Sequence, residues 1–482
     1  MSEIKDSRFQ KGTYVFTGAQ AIQSEEHAKK YGKDSLKGSP NLNLMDGLER
    51  LCEEKDAELT VLSMAGMGNS ETKLNSYFDN KKVLYSIKEK NLKLNENIKV
   101  SGMVEPPQNM DIPNTRDRFI QRDQSVIMAH TKQRLRCVPT SNHSFPKLIM
   151  TTGACTHPNY DINRENSTGN RKSDIAWMDH QYGAVIVEII NDDMYNVRHI
   201  PSQKDGKFVD MGIRYDGNKK PKRVDTEALV LGDLHVGETD EKTMTANYEM
   251  IDFFKPKRLF LHDLVNSKSV NPHEEEDCVS KAIRERDGEL NLERELKECR
   301  KYLIELGKSM GRGEIFVVPS NHDNFIYRYL AKGNFPKDSE NSKIASKLFL
   351  IAIGCSDPAE AANAAVEEGI KMMGPIPNNI SFLRFEDDYK VWGWQLANHG
   401  HLGYSGGRGS TKALELCYGK SITGHTHSPE RLRDVVVVGT SSRLDLAYTK
   451  GQGSKWMAAN AVLYDGGLVQ LLPIINGKWK KR

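Results

Sequence analysis

The sequence predicts an α/β protein built in two parts. A separate mixed α/β domain of unknown role is expected over residues 1–215, and a helix-flanked sheet over 226–482, with a linker at 216–225. Three observations carry this expectation. The 482 residues exceed what one ordinary hydrophobic core needs, so two domains are the natural prior. The run Asp216-Gly217-Asn218-Lys219-Lys220-Pro221-Lys222-Arg223 has no apolar anchor. On either side of it, β-branched runs of strand length alternate with segments of helical period.

In the first part, 13–17 and 58–63 read as strands around an amphipathic helix at 42–55, and 147–152, 184–190 and 195–200 read as further strands. The polar segments 105–145 and 156–180 read as long loops. Gly66-Met67-Gly68 lacks the third glycine and the following acid of a dinucleotide fingerprint, so it reads as a turn. His27, His130, His143, His157, His180 and His199 have no metal-ligand spacing and read as structural or exposed.

In the second part, strands are expected at 227–231, 258–261, 314–318, 380–385, 391–397, 421–423, 435–439, 458–464 and 468–473. Helices are expected at 243–254 and 411–418, and from the Asp357-Pro358 start to about 373. A charged helical insertion at about 267–312 carries only the sparse apolar residues Leu292, Leu296, Leu303, Ile304 and Leu306. It is expected to project or to lie across a partner subunit of a homo-oligomer.

Composition narrows the class. Hydrophobic residues at 38% and charged residues at 28% fit a soluble globular chain. Seven scattered cysteines without a Cys-x-x-Cys pair argue against a disulfide framework and a thiolate zinc site, and fit a cytoplasmic location. The polar start MSEIKDSRFQKG shows no secretory signal, and no apolar run is long enough to cross a bilayer, so no membrane partner is expected. The net charge of +3 does not itself announce a nucleic-acid binder. Local basic groups suit phosphate contact: Lys219, Lys220, Lys222 and Arg223; Lys478, Lys480, Lys481 and Arg482; and Arg116, Arg118, Arg122, Arg134 and Arg136. The bland alternative is solvated surface.

The chemistry lies in five short motifs: Gly232-Asp233-Leu234-His235, His262-Asp263, Asn321-His322-Asp323, His399-Gly400-His401 and Gly424-His425-Thr426-His427. The first four follow expected strands, whose C-terminal ends converge on one crevice in an open α/β sheet. One Asp-x-His arises often by chance; five such segments in this order do not. Carboxylate and amide oxygens favour hard ions, and imidazoles admit Mn, Fe, Zn or Ni. Two such ions held together polarise a phosphate and generate hydroxide from water at neutral pH.

This order resembles the calcineurin-like metallophosphoesterase superfamily, with Asp-x-His, Asp, Asn-His-Asp, His and Gly-His-x-His over roughly 225–475. The resemblance implies a metallophosphoesterase-type β-sandwich flanked by helices. It implies two divalent ions, manganese preferred with Mg, Fe, Zn or Ni admitted. Asp233, His235 and His427 would hold the first, Asp263 would bridge, and Asn321, His399 and His425 would hold the second. His322 would be the general acid, supported by Asp323 or His262. His399 and His401 compete for one position; the residue nearer the strand is taken as the ligand, leaving His401 to face substrate with His262. Arg408, in the glycine-rich loop 403–410, suits a phosphate, or the loop is simply a turn before the next helix.

Departures refine the class. His262 replaces the usual glycine before the bridging Asp, Asn266 replaces a frequent second acid, and Ser320 replaces a glycine. The arginine-bearing motif of phosphoprotein phosphatases is absent. That absence, together with Asp323 rather than a Glu after Asn-His, favours nucleases, cyclic phosphodiesterases and nucleotide pyrophosphatases. In overall layout the chain is also similar to the pre-early DNA-transfer nucleases of T5-like bacteriophages. That similarity implies a DNase degrading DNA during infection, acting in the host cytoplasm with DNA as partner. The alternatives are a small-molecule or cyclic-nucleotide phosphoesterase, and an oligomeric assembly or regulatory protein with a secondary metal site.

Overall fold

The computed structural model describes residues 11–66, 72–85, 91–102, 124–141, 145–160, 170–272, 277–445 and 453–481. Arg116, Arg118, Arg122, His143, Arg482 and the Met67-Gly68 part of the expected turn lie outside these residues. The described residues form a mixed α/β fold whose four sheets do not close into a barrel.

Four parallel strands, Thr226–Val230, Arg258–Leu261, Glu314–Val317 and Ile380–Phe382, lie side by side. The antiparallel strands Ala458–Tyr464 and Val469–Ile474 complete a six-stranded sheet. Strands buried on both faces read as continuous apolar runs. Their crossovers carry helices packed on one face. Glu241–Phe254 is capped by Asp240, whose carboxylate accepts the Thr243 amide, and Pro358–Met372 is capped by Asp357. Leu229, Leu261 and Ile315 of the sheet meet Met250, Leu303 and Val366 of the helices in one apolar cluster.

The insertion corrects the sequence expectation. Its described residues include the α-helices Cys278–Arg286 and Leu292–Met310, and the second does not project. Cys299, Tyr302 and Met310 join Leu292, Leu296, Leu303 and Leu306 to complete a core-facing stripe at helical spacing. Counting only the aliphatic residues concealed that stripe. The apolar run 348–353, which reads from sequence as a core segment, is divided, with Leu348 buried and Leu350 and Ile353 exposed. Among the described residues no helix is long and apolar enough to cross a membrane.

A ten-stranded sheet packs against the other face, through Val230, Phe260 and Phe316 on one side and Leu396, Ile422 and Val436 on the other. The strand expected over 391–397 is instead two short ones, Lys390–Val391 and Trp394–Gln395, paired antiparallel around left-handed Trp392 and Gly393. Two segments expected to be loops also hold regular elements: strands Ser125–Met128 and Arg134–Val138, and the helix Asn170–Met178. Arg134–Val138 pairs with Glu430–Leu432, so strands from before residue 152 extend the sheet of the C-terminal motifs. Arg134 is buried there beside Glu430, at 3.2 Å, instead of reaching solvent. The 216–225 segment contributes a short strand, Lys222–Arg223, paired with Ile213–Tyr215.

A five-stranded sheet, with Gly12–Gln20 parallel to Ala57–Met64, carries the helix Leu42–Lys55. Buried Arg198 locks this region to the rest. Its Nε and Nη2 donate to Asp210 at 2.7 and 2.9 Å, Nη1 lies 3.1 Å from Glu188, and Gln470 donates to Asp210 at 3.0 Å. Burial alone would raise the Asp210 pKa, but the charge of Arg198 and its hydrogen bonds override burial and hold it well below the carboxylate range. A depressed carboxyl pKa contributes stability above the unfolded value of about 3.9, which is lost as pH falls through the folded value. Asp210→Ala is therefore expected to cost about 3–5 kcal/mol at pH 7 by leaving Arg198 undercompensated. In urea unfolding, the gap from wild type should narrow as pH drops below about 4.

Candidate metal centre

The two sheets each bring strand C-termini to the same place. Thr226–Val230 leads to Asp233 and His235, Arg258–Leu261 to His262 and Asp263, and Glu314–Val317 to Asn321 and His322. From the second sheet, Trp394–Gln395 leads to His399 and the parallel strand Ser421–Thr423 to His425 and His427. The exits are zipped together: Leu234, His235 and Val236 amides donate to the carbonyls of His262, Asp263 and Leu264 at 3.0, 2.8 and 3.1 Å. The Asp233 amide donates to the Gly439 carbonyl at 3.1 Å, and the Gly424 amide to the His399 carbonyl at 2.9 Å.

This scaffold holds four non-glycine motif residues in the left-handed region, His235 (φ 46°), Asp263 (φ 46°), His425 (φ 78°) and His427 (φ 56°). Each such residue costs about 1–3 kcal/mol and persists only where the surroundings enforce it. Gly424 is required by close approach, since a Cβ there would lie 2.1 Å from Asp233 Oδ1 and 3.1 Å from His262 Cβ. Gly424→Ala is expected to lower stability by about 1–3 kcal/mol and to weaken metal binding by displacing Asp233. A thermal melt with and without Mn²⁺ checks both effects.

Asp233, His235, Asp263 and His427 each direct one donor atom into a buried space, all within 4.8 Å of one another. Nε2 of His235 lies 2.9 Å from Nε2 of His427, and 3.5 Å from Asp263 Oδ2. His427 Nε2 is 3.3 Å from Asp233 Oδ2, which also accepts the His425 amide at 2.7 Å. Next to this group, Asn321 Oδ1 sits 3.1 Å from His399 Nε2 and 3.0 Å from His425 Nδ1. Asp263 Oδ2 lies 3.2 Å from His399 Nε2, so it stands between the two sets.

The donors fit a cation. Asp233 Oδ1 and both Asp263 oxygens are buried without a hydrogen-bond partner, the 3.2 Å approach to His399 lacking hydrogen-bond geometry. Two buried imidazole nitrogens meet face to face where at most one can carry a proton. Burial pushes His235 down to about 3 and His427 well below its ordinary value, leaving both in the neutral form that ligates metal. Burial and the neighbouring Asp263 push Asp233 well up, whereas His399, His322 and His235 override burial and hold Asp263 well down. A cation would relieve that imbalance.

His322 is half-buried beside this space, its ring 4.6 Å from that of His235 and 4.8 Å from Phe325. Its Nδ1 lies 2.7 Å from the carbonyl oxygen of Asn266, a contact in which Nδ1 donates and Nε2 is left to face the site. Neither Asp323 nor His262 makes this contact; it is made by backbone at position 266. Asp323 instead accepts the Ser320 amide at 2.9 Å and closes its own turn, with burial and then Asp263 pushing its pKa to about 8. His262, expected to face substrate, is buried with Nδ1 3.3 Å from His399 Nδ1, where it backs His399.

His401 stands at the edge, its ring 5.6 Å from His399 and 6.0 Å from His425, with burial pushing it to about 3. Arg408 is exposed nearby. Burial, His399 and Arg408 all contribute to holding His425 down at about 4. The glycine-rich loop offers no open cradle of amides, because Gly403, Gly407 and Gly409 donate to the loop's own carbonyls. Sequence reasoning missed Trp456, whose ring packs 4.3 Å from His427, and Glu238, an ion-pair partner of both Lys268 and Arg443 at the same rim. A lone tryptophan and a single glutamate carry no spacing signal.

Among known proteins, the chain is 25% identical over 371 residues to "Protein A1" of Escherichia phage T5, an alignment covering 74% of this chain. The match spans 64% of that relative's length. The chain is thus related to a protein of a T5-like bacteriophage. No protein-family model and no solved structure matches it.

Proposed function

We propose that this chain is a dinuclear-metal-dependent phosphodiesterase that degrades DNA. The observation carrying the reading is Asp263, a buried carboxylate with two unpartnered oxygens standing between two sets of donors. Asp233, His235 and His427 would hold one ion, Asn321, His399 and His425 the other, and Asp263 both. Two divalent ions, manganese by preference, supply Lewis acidity to a phosphate and an activated water at neutral pH. Nε2 of His322, oriented by the Asn266 carbonyl, donates a proton to the leaving oxygen. His401 and Arg408 meet the substrate at the edge.

DNA is favoured as substrate by the resemblance in layout to the DNA-transfer nucleases of T5-like phages and by the relationship to a phage T5 protein. Purified protein incubated with linear, circular and single-stranded DNA in Mn²⁺ should cleave at least one form. EDTA or Asp263→Asn should prevent cleavage. DNA left intact by protein that holds two ions per chain would contradict the proposal.

A further inference from the structure

The loop that leaves the metal centre after His401 is both exposed and rigid. Leu402 and Arg408 face each other in an antiparallel bridge, and Gly403 donates to the Gly407 carbonyl at 2.7 Å. Gly407 donates to the Tyr404 carbonyl at 3.1 Å, and Gly409 to the His401 carbonyl at 3.1 Å. Gly409 is fixed by packing, because a Cβ there would fall 1.8 Å from the Gly400 carbonyl oxygen. Ser410 then caps the helix Thr411–Tyr418 by accepting the Ala413 amide. The loop is therefore a closed finger anchored at both ends, one of them beside His399.

Its tip presents what a folded chain ordinarily covers. Tyr404 is 61% exposed and Leu402 45% exposed. Arg408 is exposed on the same loop, bridged to Leu402 beside His401. From His399 through Leu414 there is no acidic residue, while Arg408 and Lys412 add positive charge. An aromatic face and an arginine on a rigid, acid-free loop at a phosphoester site match a flexible polyanion with stacking groups.

We propose that the 402–408 finger binds single-stranded polynucleotide, with Arg408 taking a phosphate beside the scissile one and Tyr404 stacking on an unpaired nucleobase. This deepens the phosphodiesterase reading and rests on it for the position of the scissile phosphate. Stacking on an aromatic side chain tolerates every base, so the finger confers a preference for unpaired strand without a preference for sequence.

The test is fluorescence anisotropy of the full chain in EDTA, with a short labelled oligodeoxynucleotide and an abasic oligomer of equal length. Tyr404→Ala should weaken binding of the base-bearing oligomer about tenfold, leave the abasic one at wild-type affinity, and be rescued by Tyr404→Phe. Arg408→Ala should weaken both oligomers and reduce the salt dependence by about one phosphate contact. Tyr404→Ala binding both oligomers as wild type does, or weakening both equally, overturns the finger. Hydrolysis of bis(4-nitrophenyl) phosphate is measured separately. If wild type turns over no phosphodiester, the catalytic reading fails while the two oligomers still decide the role of Tyr404.

Discussion

Asp263→Asn is expected to remove metal binding and turnover together, with a loss of at least about 1,000-fold in kcat, roughly 4 kcal/mol of transition-state stabilisation. Asp263 lies within reach of imidazoles of both donor sets, 3.5 Å from His235 Nε2 and 3.2 Å from His399 Nε2. An amide has the same shape but half the oxygen donors and no charge, so the second ion would lose its anionic ligand and the first would keep only Asp233. Folding should not suffer. The metal-free wild type buries two carboxylates together, and Asp263 is part of what drives the Asp233 pKa up. Removing its charge relieves that repulsion but gives up the attraction of His399, His322 and His235, so the opposing effects should leave the metal-free variant folded near the wild-type melting temperature. Mn²⁺ at about 100 times its Kd should stabilise wild type by roughly 2.7 kcal/mol per bound ion and leave Asp263→Asn unmoved. A variant that unfolds outright would show instead that Asp263 is structural.

His322→Ala should separate chemistry from binding. It is expected to keep both ions while losing about 10²–10⁴-fold in turnover, the usual contribution of a positioned general acid. The Nδ1 contact with the Asn266 carbonyl at 2.7 Å leaves Nε2 toward the site, where a proton is needed on the departing oxygen. The loss should be larger for DNA, which leaves as an alkoxide, than for bis(4-nitrophenyl) phosphate, whose phenolate leaves without protonation. Asn266→Ala should have a smaller effect, because the accepting oxygen belongs to the backbone. If His322→Ala releases metal, the residue is a ligand and this assignment of roles is wrong.

The motifs were legible because their chemistry is written in short, ordered segments at the ends of apolar strands. Asp233, His235, Asp263 and His427 could be named before any geometry was known, and the structure brings them within 4.8 Å. Asn321, His399 and His425 gather beside them. What stayed hidden depends on tertiary contact. No sequence pattern announces that the Asn266 carbonyl orients His322, or that His262 backs His399 from the interior. The core role of Leu292–Met310 was obscured because Cys299, Tyr302 and Met310 supply part of its stripe. The strand Arg134–Val138 was missed because its arginines read as loop, although the strand pairs with Glu430–Leu432 and Arg134 is buried beside Glu430.

The most direct measurement is a titration of metal-free protein with Mn²⁺, following bound ions per chain and phosphodiester turnover in the same samples, with Asp263→Asn alongside. Two ions per chain are expected, with hydrolysis rising as the second site fills and the variant inactive throughout. Full activity with a single bound ion, or two bound ions without phosphodiester hydrolysis, would contradict a dinuclear phosphodiesterase built around Asp263.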